Sequence, residues 1–316
     1  MSVELVFNEL SLRQPVENKS FARQIMTEFV ACVRLVAEIG VSASLRADTS
    51  IHDLLLAPDY PIAQWRNDHE VDREERRYFR LINSKVPVLA DLPNIAELVR
   101  LQEFRFEGEL ANGLGIAELI GGLAISFGTD RKWAQDFVRI EVSSLNEREE
   151  IQKLPANVEH ASSTQHVESH RAWIRSRLTD ELEDGKQIWS RRNEIFPKLV
   201  LCESVGRRLT EIDPGSLAIR VIKHRLEQLN NYCLTWRAGA FDPQRLGLHA
   251  SIESQPTLQQ YGEQRTFRCP DGREQLFSWH CRLPGAWRLH FLPDLVSRTI
   301  IIGYIGPHLP TVVFQN

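Results

Sequence analysis

The chain has 316 residues, 42% of them apolar, and carries a net charge of −4 with a pI near 6.2. That length buries a sizeable core and favours two domains, and the charge excludes a uniformly basic nucleic-acid binder. Charge is divided unevenly: residues 187–316 hold 16 basic against 11 acidic side chains, residues 1–186 hold 22 against 31. An acidic front half joined to a basic back half fits shielding of one by the other, or an anionic partner for the back half alone. Solvated faces on two ordinary domains would give the same split. The five cysteines (Cys32, Cys202, Cys233, Cys269, Cys281) are scattered, odd in number and free of any CxxC pair, so neither a disulfide framework nor a zinc ribbon is expected. Without a signal-like opening or an apolar run of membrane-spanning length, the expectation is a cytoplasmic protein with no membrane partner.

Val3 to Leu10 reads as a short strand, followed by an amphipathic helix with Ile25, Phe29, Cys32/Val33 and Val36 at helical spacing and Gly40 as its stop. Residues 50–56 and 72–83 are predicted as helices, Pro87 and Pro93 as turns, and 95–101 as a further helix. Gly113-Leu-Gly115 and Gly121-Gly122 fit neither phosphate-loop pattern, so they point to close helix packing. Phe137 to Val142 alternates as a strand.

The polar, aperiodic stretch 151–170 is the expected linker, between a domain over 1–150 and one over 171–316. Its histidines His160, His166 and His170 include an i, i+4 pair, but without a helical pattern they are expected to be exposed. Trp173 to Leu182 reads as a helix. Two better helices follow, one with Leu201, Val205, Leu209 and Ile212 on a face, the next with Ile222, Leu226, Leu229 and Cys233. Asp213-Pro214-Gly215 separates them and Ser216 is the expected N-cap. From Gly239 onward, short extended runs alternate with turns such as Pro270-Asp271-Gly272 and Pro284-Gly285. The expected class is α+β with two domains, the C-terminal one being two helices followed by a small antiparallel sheet.

Chemistry concentrates in the last 40 residues. His280 and Arg282 share parity on one predicted strand, Arg288 and His290 share it on the next, and period-two geometry puts each pair on one face. Tyr304 and His308 lie at the end of the last strand, where Gly303, Gly306 and Pro307 are expected to bend the chain. Metal-independent RNA cleavage needs a base for the 2′-hydroxyl, cations for the pentacovalent phosphate and an acid for the leaving oxygen. Histidine suits the proton transfers and arginine the phosphate. Glu253, Asp271 and Glu274 suggest a metal-dependent nuclease instead, but Asp271 belongs to a turn and no lysine follows Lys223, so no metal and no cofactor is expected.

Two helices followed by an antiparallel meander, with the arginine-bearing Trp287-Arg288-Leu-His-Phe291 and the closing Ile300-Ile-Ile-Gly-Tyr-Ile-Gly-Pro-His308, make residues 195–316 resemble the RelE/HigB-type toxin fold. Members of that family cleave mRNA or, in the ParE branch, poison gyrase, using basic and aromatic residues on the concave face of the sheet. The resemblance implies that Arg288 grips phosphate, Arg282 supplies a second cation, and His308 and Tyr304 form the acid/base group. Stand-alone toxins are shorter, strongly basic and lysine-rich, unlike this chain. The resulting expectation is a toxin-like endoribonuclease of a bacterial defence or toxin–antitoxin system, acting on RNA more than DNA and restrained by its acidic N-terminal domain. The alternative is a non-enzymatic subunit that binds nucleic acid or a protein partner in a defence complex.

Overall fold

The computed structural model describes residues 3–39, 44–48, 50–82, 96, 99, 101–145, 150–179, 184–214, 216–246, 248–283 and 286–312. Helices and strands are mixed, and the chain divides into two compact units. One comprises 1–99, 103–142 and 155–181, the other 100–102, 143–154 and 182–316.

In the first unit, strand β1 (Glu4–Phe7) leads to helix α1 (Lys19–Glu38). Asn18 caps that helix by accepting a hydrogen bond from the Phe21 amide, and Ala22, Ile25, Phe29, Val33 and Val36 form its buried stripe. There follow β2 (Ser44–Arg46), the hairpin β3 (Leu55–Ala57) and β4 (Tyr60–Pro61), α2 (Ile62–Trp65) and α3 (Arg73–Ile82). Then come β5 (Gln102–Phe106), β6 (Glu109–Leu110), α4 (Asn112–Ile120), β7 (Leu123–Ile125), β8 (Phe137–Leu145), β9 (Ile151–Ala161), α5 (Thr164–Ser169) and α6 (Arg171–Thr179). Seven strands form one sheet in the order β2-β1-β7-β9-β8-β5-β6, with β2, β1, β7 and β9 mutually parallel. The rings of Phe7, Phe29 and Phe127 meet in its core.

Several expectations change here. Residues 51–53 are a single 3-10 turn and 55–57 a strand, not one helix. The expected linker is strand β9 followed by α5: Ala156, Val158 and His160 alternate inward, a period-two signal that is weak because Val158 stands between a small alanine and a polar histidine. Consequently His160 and His170 are buried rather than exposed, at 0% and 3%. His160 bonds Ser126 Oγ through Nε2 and the Gln135 carbonyl through Nδ1, each at 2.6 Å. Gly115 presses against the Phe104 ring, the close packing read from the glycine pattern. Gly40, Pro87, Pro93 and most of 95–101 lie outside the described residues.

The second unit contains α7 (Gly185–Ile195), β10 (Leu199–Leu201), α8 (Glu203–Glu211), α9 (Leu217–Thr235), β11 (Ala250–Ile252) and α10 (Gln255–Tyr261). It continues with the hairpin β12 (Thr266–Arg268) and β13 (Glu274–Leu276), then β14 (Trp279–Arg282), β15 (Trp287–Asp294) and β16 (Thr299–Pro307). Its main sheet runs β10-β16-β15-β14-β11. The expected meander is present as β14-β15-β16, and Ser216 caps α9 as the sequence suggests. The simple order of two helices and then a sheet is not observed. β10 precedes those helices and pairs parallel with β16, and α10 interrupts the strands. Leu201, assigned from its spacing to a helix face, is the last residue of β10, because a three-residue strand is too short to display its period.

Candidate functional site

The register of the meander places the predicted residues. His280 pairs with His290 and His290 with Tyr304; Arg282 pairs with Arg288 and Arg288 with Gly306. Directly paired residues project to the same side of a sheet, so these form two adjacent rows on one face. The opposite face carries Trp279 and Phe291, which pack around Phe241. Cys281 lies on that side too, and burial pushes its thiol up to about 12.

β16 runs unbroken through both glycines to Pro307, where a bend was expected. The irregularity is a bulge: Phe291 pairs with Ile302 and His290 with Tyr304, so Gly303 is the extra residue. A Cβ on Gly303 would sit 2.6 Å from Cγ of the fully buried Phe277. The bulge thereby brings Tyr304 into the histidine row.

The floor of this face is dry. His280 is 5% exposed and His290 1%. Their ring centroids lie 5.4 Å apart, and Tyr304 meets His290 edge-on at 5.8 Å. Tyr304 also stacks on Phe267 and donates its hydroxyl to the Pro307 carbonyl at 2.9 Å. Burial, reinforced by Arg265, holds His290 down at about 3, although the Phe277 carbonyl opposes the shift. His280 is lowered well below its ordinary value, first by burial and then by His290 and Arg288. His308 follows β16 in a half-buried position, and burial, Arg288, Arg265 and Arg282 lower it to about 4. These shared electrostatic interactions tie all the predicted side chains except Tyr304 to one another, and Tyr304 joins them through its contact with His290.

Two residues of the floor were missed. Glu253, just beyond β11, and Arg265, in the 3-10 turn before β12, form an ion pair at 2.8 Å with side chains 2% and 1% exposed. Glu253 Oε1 also lies 3.5 Å from His280 Nδ1. Glu253 is placed by strand pairing rather than by a local pattern. Ser251 pairs with His280 and bonds its Nε2 at 3.2 Å, so Glu253, two residues on, shares the histidine face by parity. Asp271 and Glu274 do not join it: Asp271 sits in the β12–β13 turn and accepts the Arg273 amide. Arg208 on α8 is a further cation acting on Tyr304, whose hydroxyl burial raises above its usual value.

Neutral imidazoles, a phenol and a row of arginines can bind an anion and transfer protons at its edge. Comparison with known proteins adds no likeness: no family, no curated protein and no solved structure matches the chain.

Proposed function

We propose that this face binds and cleaves RNA, making the protein a toxin-like endoribonuclease of a bacterial defence or toxin–antitoxin system. The observation that carries this reading is the direct pairing of Arg282 with Arg288 on neighbouring strands. Like charges set opposite each other destabilise a sheet, so their juxtaposition makes sense where an anion comes between them. A phosphodiester is such an anion, and His308 and Tyr304 beside the arginines are the proton-transfer groups its cleavage needs.

In this proposal Arg288 and Arg282 grip the scissile phosphate and stabilise charge as the pentacovalent state forms. His308, half-buried at the strand end, transfers protons, with Tyr304 as its partner. Burial and then the arginines hold His308 down, and a seated phosphate cancels part of the arginine contribution, so substrate binding itself moves the ring toward the range where acid/base work is efficient. His280 and His290 are too deeply buried for that exchange and shape the floor instead. The cleavage chemistry is assigned to side chains, without a metal ion. The excess of acidic residues over 1–186 supports a restraint by the front half that slows cleavage without abolishing it, in a cytoplasmic protein. The resemblance to RelE/HigB-type toxins fits the same reading.

Expression in bacteria tests it. The full chain should slow growth and deplete mRNA, and Arg288→Ala at equal abundance should relieve both. Unchanged growth and intact mRNA with the wild-type chain would favour the second reading, a non-enzymatic nucleic-acid- or protein-binding subunit, for which the same arginine pair serves as a phosphate clamp.

A further inference from the structure

We propose that Glu253, His280 and His290 form a binding site for one divalent transition-metal ion of the Zn²⁺ type, beneath the arginine row. The inference concerns the floor of the face and stands whether or not that face cuts RNA.

Geometry comes first. One potential donor atom from each of the three side chains lies within 4.8 Å of the other two, and all three residues are buried. Tetrahedral coordination with bonds of about 2.0–2.1 Å places donor atoms about 3.3 Å apart. The 3.5 Å between His280 Nδ1 and Glu253 Oε1 already matches that spacing, and small rotations of the side chains close the rest.

The second observation is His290 itself. Its ring is 1% exposed, yet neither nitrogen makes a hydrogen bond of normal geometry. With the Phe277 carbonyl acting on one nitrogen, the other is left unsatisfied in a dry interior, which costs stability, and a metal bond there would remove that cost. Both histidines are held neutral by burial, the form that donates a lone pair to a metal.

The surroundings suit an ion of this class. Ser251 Oγ bonds Nε2 of His280, which turns Nδ1 toward Glu253, the outer-shell contact typical of a ligating histidine. Arg265 engages Glu253 Oε1 and fixes the carboxylate. Two imidazoles and one carboxylate select a borderline first-row ion over Mg²⁺, which prefers oxygen donors. Three protein ligands leave a further position for water or a phosphate oxygen, and the added charge would strengthen anion binding by the arginine row.

The test uses the full chain, stripped with a chelator and titrated calorimetrically with Zn²⁺, with Mg²⁺ as the control. The expected result is one Zn²⁺ per chain at micromolar affinity or tighter, a higher melting temperature, and no response to Mg²⁺. His290→Ala and His290→Gln should each lose at least about tenfold in Zn²⁺ affinity, equivalent to about 1.4 kcal/mol. Circular dichroism establishes that at least one of them is folded. Arg282→Ala should still bind the ion. Absence of stoichiometric Zn²⁺ binding, or equal binding by a folded His290 variant, overturns the assignment. Zn²⁺ binding without RNA cleavage upholds the metal site and refutes the proposed activity, whereas cleavage without Zn²⁺ binding does the reverse.

Discussion

His280 and His290 face each other across β14 and β15 with ring centroids 5.4 Å apart, over an ion pair between Glu253 and Arg265 that is almost completely buried. Four ionisable side chains in a dry floor are costly to maintain. Leucines would fill the same space at less expense. The floor therefore makes its own demands on stability, and these can be measured apart from any activity.

The first is pH dependence. His290 at about 3 and His308 at about 4 lie below the ordinary histidine value of 6.5, and His280 is also lowered well below it, chiefly by burial. The unfolded chain takes up protons as pH falls through 6.5, whereas the folded protein does so only near its lowered values. The stability these rings contribute is thus complete above about pH 6.5 and is lost as pH falls toward 4 and then 3, by up to about 1.4 kcal/mol per pH unit per histidine. His160 in the first unit, at about 4, adds to the same trend. Urea unfolding followed by tryptophan fluorescence should show falling midpoints between about pH 7 and pH 4.5, with a shallower slope in His290→Gln. A flat profile would show that these rings are not buried in the neutral form.

The bulge at Gly303 makes a steric prediction. Gly303→Ala drives a methyl into the Phe277 ring, and overpacking of this kind costs about 1–3 kcal/mol. Thermal melting should register the loss, and a smaller side chain in Phe277→Leu should restore part of it in the double variant. If Gly303→Ala melts like the wild type, the bulge does not hold Tyr304 as described.

The Glu253–Arg265 pair separates two kinds of loss. Removing one partner leaves an uncompensated buried charge, so Glu253→Met or Arg265→Met alone should cost about 3–5 kcal/mol. The double replacement by methionine should recover most of that cost. A double variant as unstable as the sum of the two singles would contradict the pairing.

The arginine row predicts how nucleic acid is held. Arg288→Ala should weaken RNA binding across sequences alike and reduce the slope of log affinity against log salt by about 1, while leaving the melting temperature nearly unchanged. Filter binding at several salt concentrations measures both quantities. An unchanged slope would remove Arg288 from the phosphate contacts.

How much of this was legible in the sequence follows from the length of each element. β15 is eight residues long, enough for parity to show that Arg288 and His290 share a face, whereas Tyr304 reaches that face only through the bulge at Gly303, which parity does not predict. β10 and β11 have three residues each and display no period, so the spacing assigns Leu201 to a helix and groups Glu253 only with Asp271 and Glu274. Arg265 was beyond reach for another reason. It meets Glu253 only because α10 folds the chain back between them, a tertiary event with no local pattern. β9 was mistaken for a linker because its inward positions include a histidine, an alanine and a glutamine, which look polar or neutral until their burial is known.

The central claim is that one face of the C-terminal sheet cleaves RNA by means of Arg288 and His308. Its most direct test is the rate at which the purified full chain cuts end-labelled RNA in the presence of EDTA, compared with Arg288→Ala and His308→Ala. The account predicts cleavage by the wild type and a fall of at least about 100-fold in each variant, with melting curves that stay close to wild type. Cleavage that proceeds equally well in both variants, or an intact substrate after prolonged incubation with the wild type, would contradict it.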